Sequence, residues 1–215
     1  MRKKAFAARV WSKLLAAAQA DGLLQRGDRV LAAVSGGPDS VCLAHFLCAM
    51  RRRQGIKVSL LHVHHGLRGL AADKDAAFVR RLGKDWDIPA YTIAVPVKAL
   101  ARKRGGGIED AARKLRYGAL AAEARRLRCN KVATGHHLDD QAETVLLNLL
   151  RGTRLAALGG IPPRRQLARR VELIRPLLSI SRAEVLAYLQ VHGLQHCRDS
   201  SNRDPRFTPN WLRLR

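Results

Sequence analysis

The sequence predicts an α/β protein: a doubly wound, mainly parallel sheet with helices on both faces. Three observations predict it. Short apolar, β-compatible runs alternate with helical stretches along most of the 215 residues, which is the pattern of βαβ units. The first run ends in Ser35-Gly36-Gly37-Pro38-Asp39-Ser40, a strand, a glycine turn and a helix start in succession. The three segments richest in polar motifs, 35–40, 62–68 and 134–143, all fall at the carboxyl ends of predicted strands, where open α/β sheets bind ligands.

The elements follow in order. The first twenty residues are basic and acid-free with an Ala-rich end, a texture shared with targeting peptides. Arg9, Ser12 and Lys13 interrupt any apolar run there and Gly22 stops an amphipathic helix, so the segment reads as the first helix of the domain. Val30–Val34 is the first strand. Asp39–Met50 is the helix after the glycine loop, and its Cys42 and Cys48 read as buried core thiols. Lys57–Val63 is the second strand and runs into His64-His65-Gly66. A helix over 72–85 leads to a third strand at Ala90–Val95. Gly105-Gly106-Gly107 is a flexible break, followed by a long helix over Glu109–Leu127, a fourth strand at Lys131–Thr134 and a helix over 137–150. From Gly152 the texture changes. Gly159, Gly160, Pro162 and Pro163 punctuate a loop in which basic residues recur to Arg170. A short strand (Val171–Ile174), a helix over 181–192 and an irregular polar tail complete the chain. The organisation is one domain over 1–215, with 152–215 as a C-terminal extension.

Forty Lys and Arg against seventeen Asp and Glu give a net charge of +23. Such charge opposes folding by self-repulsion and reads as the footprint of a polyanionic partner, nucleic acid above all. Three Trp, three Tyr and four Phe make base stacking a weak signal. Cys42, Cys48, Cys129 and Cys197 are scattered with no C-x-x-C, which points away from a zinc site or a disulfide framework and toward a reducing cytoplasm. No stretch is long and apolar enough to span a membrane as a helix.

The glycine loop carries the first chemical signal. Free N–H groups at a helix start point at an anion, the helix dipole favours negative charge there, and glycines let the backbone approach it. Ser35 and Ser40 add hydroxyl donors. Asp39 would repel phosphate unless Mg²⁺ lay between them. The loop therefore reads as an ATP–Mg²⁺ seat formed by Ser35, Gly36, Gly37, Pro38, Asp39 and Ser40. It is not the Walker type, which needs Gly-Lys-Ser/Thr. The competing structural reading is a Gly-Pro turn with Asp39 capping the helix.

Thr134-Gly135-His136-His137-Leu138-Asp139-Asp140-Gln141-Ala142-Glu143-Thr144 carries the second. On a helix Asp140 and Glu143 share a face continued by Thr144, Asn148 and Arg151, while Ala142, Val145, Leu146, Leu149 and Leu150 form the opposite, buried side. The polar stripe could hold Mg²⁺ or a substrate ammonium, or supply a general base. Helix capping by Asp139 or Asp140 is the competing reading. His62, His64, His65, His136 and His137 gather at the same strand ends. Lacking cysteine or carboxylate ligands at fixed spacing, they read as site-lining hydrogen-bonding groups rather than zinc ligands. Arg113 and Arg116, three apart on the long helix, share a face that suits phosphate or a base edge, or simply a solvated ion-pair helix.

Together, residues 35–40, His-Val-His-His-Gly-Leu-Arg at 62–68, Ala-Arg-Lys-Leu-Arg-Tyr at 112–117, the motif at 135–144 with Arg151-Gly152-Thr153, and Asp-Ser-Ser-Asn at 199–202 form an ordered set. On these residues the chain closely resembles the catalytic domain of the tRNA(Ile)-lysidine synthetase family, within the N-type ATP pyrophosphatases of adenine nucleotide alpha hydrolase-like fold. The resemblance implies that ATP adenylates the wobble cytidine of a CAU-anticodon isoleucine tRNA at its C2 oxygen, and that the ε-amine of free lysine then displaces AMP. It implies catalytic roles for Asp39, Asp140 and Glu143, with Asp39 binding Mg²⁺. It further implies substrate or RNA contacts for His65, Arg113, Arg116, His137 and Arg151. His64 stands where that family usually has Asn, and Pro209 replaces a basic residue before Asn210. Larger members carry C-terminal domains that grip tRNA, and these are expected to be absent from a chain ending at Arg215. The rival expectations are a tRNA thiolation enzyme of the same superfamily, an ATP-dependent amidating synthetase, and a catalytically idle basic RNA-binding module.

Overall fold

The structure, a computed structural model, describes residues 2–64, 70–96, 108–150, 152 and 159–197. In chain order the elements are α1 (Arg2–Ala20), β1 (Arg29–Ala33), α2 (Pro38–Gln54), β2 (Lys57–His64), α3 (Leu70–Asp85), β3 (Ala90–Ala94), α4 (Ile108–Arg126), β4 (Lys131–Ala133), α5 (Leu138–Leu150), β5 (Arg164–Ala168), β6 (Val171–Ile174), a 3-10 turn (Pro176–Ser179) and α6 (Arg182–Val191). The strands form one sheet in the order β3-β2-β1-β4-β6-β5. All neighbours are parallel except β5, which runs antiparallel to β6. The chain winds outward from β1 through β2 to β3, then crosses to β4 on the other side of β1. The carboxyl ends of β1 and β4 therefore flank the switch point at which such sheets open a ligand crevice.

Strand residues alternate between two cores, because successive side chains point to opposite faces. Val30, Ala32 and Leu60 join Val10 and Leu14 of α1, Phe46 and Leu47 of α2, Val79 of α3 and Tyr188 of α6. Leu31, Leu61, Val132 and Leu173 join Leu120 and Ala124 of α4 on the other face. Burial on both faces explains why the strands read as near-continuous apolar runs. In α1 the buried Ala7, Val10, Leu14 and Ala18 recur every three or four residues, so one stripe faces the core.

Three expectations need correction. The basic run before Arg170 contains the edge strand β5. Its arginines are exposed, as suits an edge that must not pair with other chains, and such residues hide a strand from a reading based on β-propensity. Cys48 is only partly buried, against the core rather than in it. The apolar side of α5 is not buried: no residue of the helix is, and Leu146, Leu149 and Leu150 are 44%, 55% and 69% exposed. The helix is tied down through its first turn, where Leu138 N–H donates to Ile180 O at 2.9 Å and Ile161 N–H to Gln141 Oε1 at 2.6 Å. Helical spacing creates an apolar face, but no described layer covers this one. The Gly105–Gly107 break and the tail beyond Cys197 lie outside the described residues.

At the amino ends of the strands, away from the crevice, Lys131 and Asp28 are buried together. Lys131 Nζ is 2.9 Å from Asp28 Oδ2 and donates to Leu23 O at 2.8 Å. Asp28 also accepts from Asn130 Nδ2 at 2.7 Å and from Gln25 N–H at 2.7 Å. Removing one member of such a pair strands the other charge, at a cost of about 3 kcal/mol. Lys131→Ala should therefore lower the urea midpoint by that equivalent with an unchanged m-value. A variant as stable as the wild type would show that the pair contributes nothing net.

Candidate active site

The loop after β1 is shaped around the start of α2. Gly36 has φ +94°, which side chains rarely adopt, and a Cβ there would sit 3.1 Å from Cys197 Sγ. Its carbonyl accepts the Cys197 N–H at 2.9 Å, so the segment after α6 lies against the loop. Gly37 is the N-cap residue, Pro38 opens the helix, and no side chain caps it. Asp39 is thus not a cap, which settles one alternative. Ser40 Oγ donates to Gly37 O at 2.8 Å and lies 3.3 Å from Ser35 Oγ. The first-turn amides of α2 have no intrahelical acceptor and face outward as an anion cradle.

The corner after β4 packs directly on this cradle. A Cβ on Gly135 would meet Asp39 C and O at 3.1 Å and Ser40 N at 3.3 Å, so only glycine fits without moving the loop. The next residues bring three carboxylates around His137, which is 4% exposed. Its Nε2 is 3.8 Å from Asp39 Oδ1 and 3.6 Å from Asp140 Oδ2, and its Nδ1 is 3.6 Å from Asp139 Oδ2. Asp140 Oδ2 accepts the His137 N–H at 3.0 Å, so the capping alternative holds for this residue while its carboxylate remains beside Asp39. Glu143 follows one turn on and is half-buried.

Arg182, at the start of α6, was not anticipated. Its guanidinium pairs with Asp39 Oδ2, and its N–H donates to Asp139 Oδ2 at 2.8 Å. Ser181 and Glu184 form a capping box, a pattern visible in the sequence that announces the helix start. Nothing in the spacing links position 182 to Asp39.

Asp39 Oδ1 is buried with no hydrogen-bond partner among the described residues, which fits a cation. No three His, Cys, Asp or Glu among the described residues converge as a metal-binding group.

Around His136 the surroundings are cationic. Arg113 and Arg116 flank the Tyr117 ring, with guanidinium carbons 5.8 and 5.3 Å from its centre. Burial, reinforced by Arg175, Arg116 and Arg113, pushes the His136 imidazole down to about 3, so it is neutral at physiological pH. His136 Nδ1 and Thr134 Oγ1 share a hydrogen bond at 3.0 Å. His62 is buried, its Nδ1 3.0 Å from Val34 O, in a packing position. His65 and Arg151 lie outside the described residues.

This geometry, an uncapped helix start at the switch point with a carboxylate beside it, is that of a nucleotide-phosphate site. The PP-loop domain family matches residues 7–215, and the chain belongs to it. Its relatives include the tRNA(Ile)-lysidine synthase of Symbiobacterium thermophilum, 44% identical over 193 residues, covering 90% of this chain and 40% of that protein. That of Porphyromonas gingivalis is 43% identical over 194 residues, covering 90% and 41%. The Clostridioides difficile enzyme is 36% identical over 205 residues, covering 95% and 44%. The chain thus spans about two fifths of the length of the curated relatives it matches. Among solved structures, the U34-tRNA thiolase NcsA from Methanococcus maripaludis with its 4Fe-4S cluster superposes with TM-score 0.74 at 21% identity, covering 98% of this chain and 72% of that one. The NH3-dependent NAD synthetase of Campylobacter jejuni gives 0.55 at 18%, covering 97% and 79%. At these identities the likeness shows the fold.

Two outcomes follow. Gly135→Ala should weaken ATP binding about tenfold, the loss of one charge-assisted hydrogen bond, with the fold retained; unchanged affinity by calorimetry would contradict the contact. His136 has its folded pKa depressed below the model-compound value of 6.5, so only the unfolded chain takes up its proton between about pH 6.5 and 3. Its contribution to stability is present above that window and is lost as pH falls through it. His136→Asn should flatten the loss of urea stability between pH 7 and pH 5, and an unaltered pH slope would contradict the burial of the ring.

Proposed function

We propose that this chain carries out the chemistry of a tRNA(Ile)-lysidine synthase. The observation that carries the reading is 36–44% identity to proteins of that name across 90–95% of the chain, coinciding with an uncapped helix start beside Asp39, His137 and Asp140. The substrates are ATP, free L-lysine and an isoleucine tRNA with a CAU anticodon, and the reaction is cytoplasmic.

In the first step the C2 oxygen of the wobble cytidine attacks the α-phosphorus of ATP, and pyrophosphate leaves. Residues 35–40 hold the pyrophosphate portion through the first-turn amides of α2 and the hydroxyls of Ser35 and Ser40. Mg²⁺, held by Asp39, would neutralise phosphate charge there. Arg182 pairs with Asp39 Oδ2 and leaves Oδ1 for the ion, and its guanidinium beside the loop suits a phosphate oxygen. In the second step the ε-amine of lysine attacks C2 and AMP leaves. The amine arrives protonated and must lose a proton to attack. Asp140 and Glu143, one helical turn apart, bind the ammonium and accept that proton. His137 holds the carboxylates in place, while Arg113, Arg116, His65 and Arg151 contact phosphate or RNA.

A transcript of that tRNA, incubated with ATP–Mg²⁺ and protein with and without lysine, tests the reading. Lysine-dependent AMP and a lysidine mass at the anticodon are expected. Glu143→Gln should lower lysidine formation by about 10²-fold or more, the usual scale of a lost general base, with pyrophosphate release less affected. Full lysidine formation by this variant would remove Glu143 from the mechanism. A thiolated nucleoside would transfer the chain to sulfur chemistry, and tight tRNA binding without pyrophosphate release would make it a binding module.

A further inference from the structure

We infer that the arginine-lined recess around Tyr117 is a seat for a backbone phosphate of RNA, separate from the nucleotide seat at the start of α2. The choice of RNA rests on the function proposed above. Three segments far apart in sequence build the recess: Arg113, Arg116 and Tyr117 on α4, Arg165 on the edge strand β5, and Arg175 directly after β6. The guanidinium carbon of Arg165 lies 5.0 Å from the Tyr117 ring centre, closer than those of Arg116 and Arg113 at 5.3 and 5.8 Å. Arg175 is 4% exposed. One of its terminal nitrogens donates to Pro162 O, but its Nε and that of Arg116 are buried without a hydrogen-bond partner among the described residues.

Three guanidinium groups over one ring, with Arg175 acting on its hydroxyl, repel one another. None of the four forms an ion pair within 4 Å with a described carboxylate. The surplus is felt by every neighbour. Burial draws Arg175 below its ordinary pKa, Tyr117 opposes the shift, and Arg165 and Arg113 add to it. Burial raises the Tyr117 hydroxyl, yet Arg116, Arg113 and Arg175 outweigh it and bring the net shift down. A cluster in which Arg175 is buried, Arg116 half-buried and Arg113 and Arg165 exposed, with two buried Nε donors unpartnered among the described residues, suits a multidentate oxyanion, and phosphate matches that geometry.

Position separates this seat from the one that holds ATP. His137 faces Asp39, Asp139 and Asp140, whereas its neighbour His136 feels Arg175, Arg116 and Arg113. The two seats therefore lie on opposite sides of consecutive residues. Arg165 is exposed on β5, so the recess opens outward at the edge of the sheet. A nucleotide anchored at α2 does not need that edge; a polynucleotide backbone crossing it would be positioned by it.

The test compares the wild-type chain with Arg165→Gln and Arg175→Lys, using a stem-loop RNA of unrelated sequence and, separately, ATP–Mg²⁺. Arg165 sits on an exposed strand, so its loss should leave the thermal midpoint unchanged. Arg165→Gln should weaken RNA binding about tenfold and lower the slope of log Kd against log salt by about one. Arg175→Lys keeps the charge but loses the planar fork, so affinity should fall with the slope preserved. Both should bind ATP–Mg²⁺ within about twofold of wild type. RNA affinity and slope unchanged in both variants would overturn the seat. A loss of ATP affinity with unaltered RNA binding would assign these arginines to the nucleotide and equally overturn it. Failure of the lysidine reading would appear in the wild-type product assay and leave this comparison intact.

Discussion

The amino end of α2 begins at Gly37, which has no side chain to cap it, and that open end shapes its surroundings. Gly36 adopts a left-handed conformation to bring the chain into the helix. Gly135 brings the end of β4 against Asp39 and Ser40. The backbone at Cys197 closes on Gly36 from behind, and Arg182 reaches across to Asp39. Contributions from residues so far apart in sequence meet there because β1 and β4 are adjacent at the switch point.

Around this end, charge is sorted rather than mixed. Three carboxylates surround His137, while arginines from α4, β5 and the end of β6 surround Tyr117. In a chain of net charge +23, placing acids at the phosphate cradle is costly unless a cation joins them. The buried, unsatisfied Asp39 Oδ1 marks where one fits. Arg182 pairs with the other oxygen, Oδ2, which makes it a counter-ion for Asp39 and a tether of α6 to the loop.

Much of this was legible in the sequence because the strands are buried on both faces and the glycine loop follows the first of them directly. The order of most strands and helices, and the meeting of the 35–40 and 134–143 corners, follow from local pattern plus the rule for strand carboxyl ends. Three features did not. β5 carries Arg164, Arg165 and Gln166, whose solvent exposure removes the apolar signal of a strand. The burial of the α5 stripe depends on a covering layer, which periodicity cannot supply. Arg182 and Arg175 act on the site through tertiary contacts, and an arginine at a helix start or after a strand announces no partner.

The most direct measurement is titration of isotope-labelled protein with magnesium pyrophosphate, following backbone amide shifts. The account predicts that Gly36, Gly37, Asp39 and Ser40 move first and furthest, together with the Arg182 side chain beside Asp39. Shifts confined to another surface, with these amides still, would contradict a phosphate seat at the start of α2.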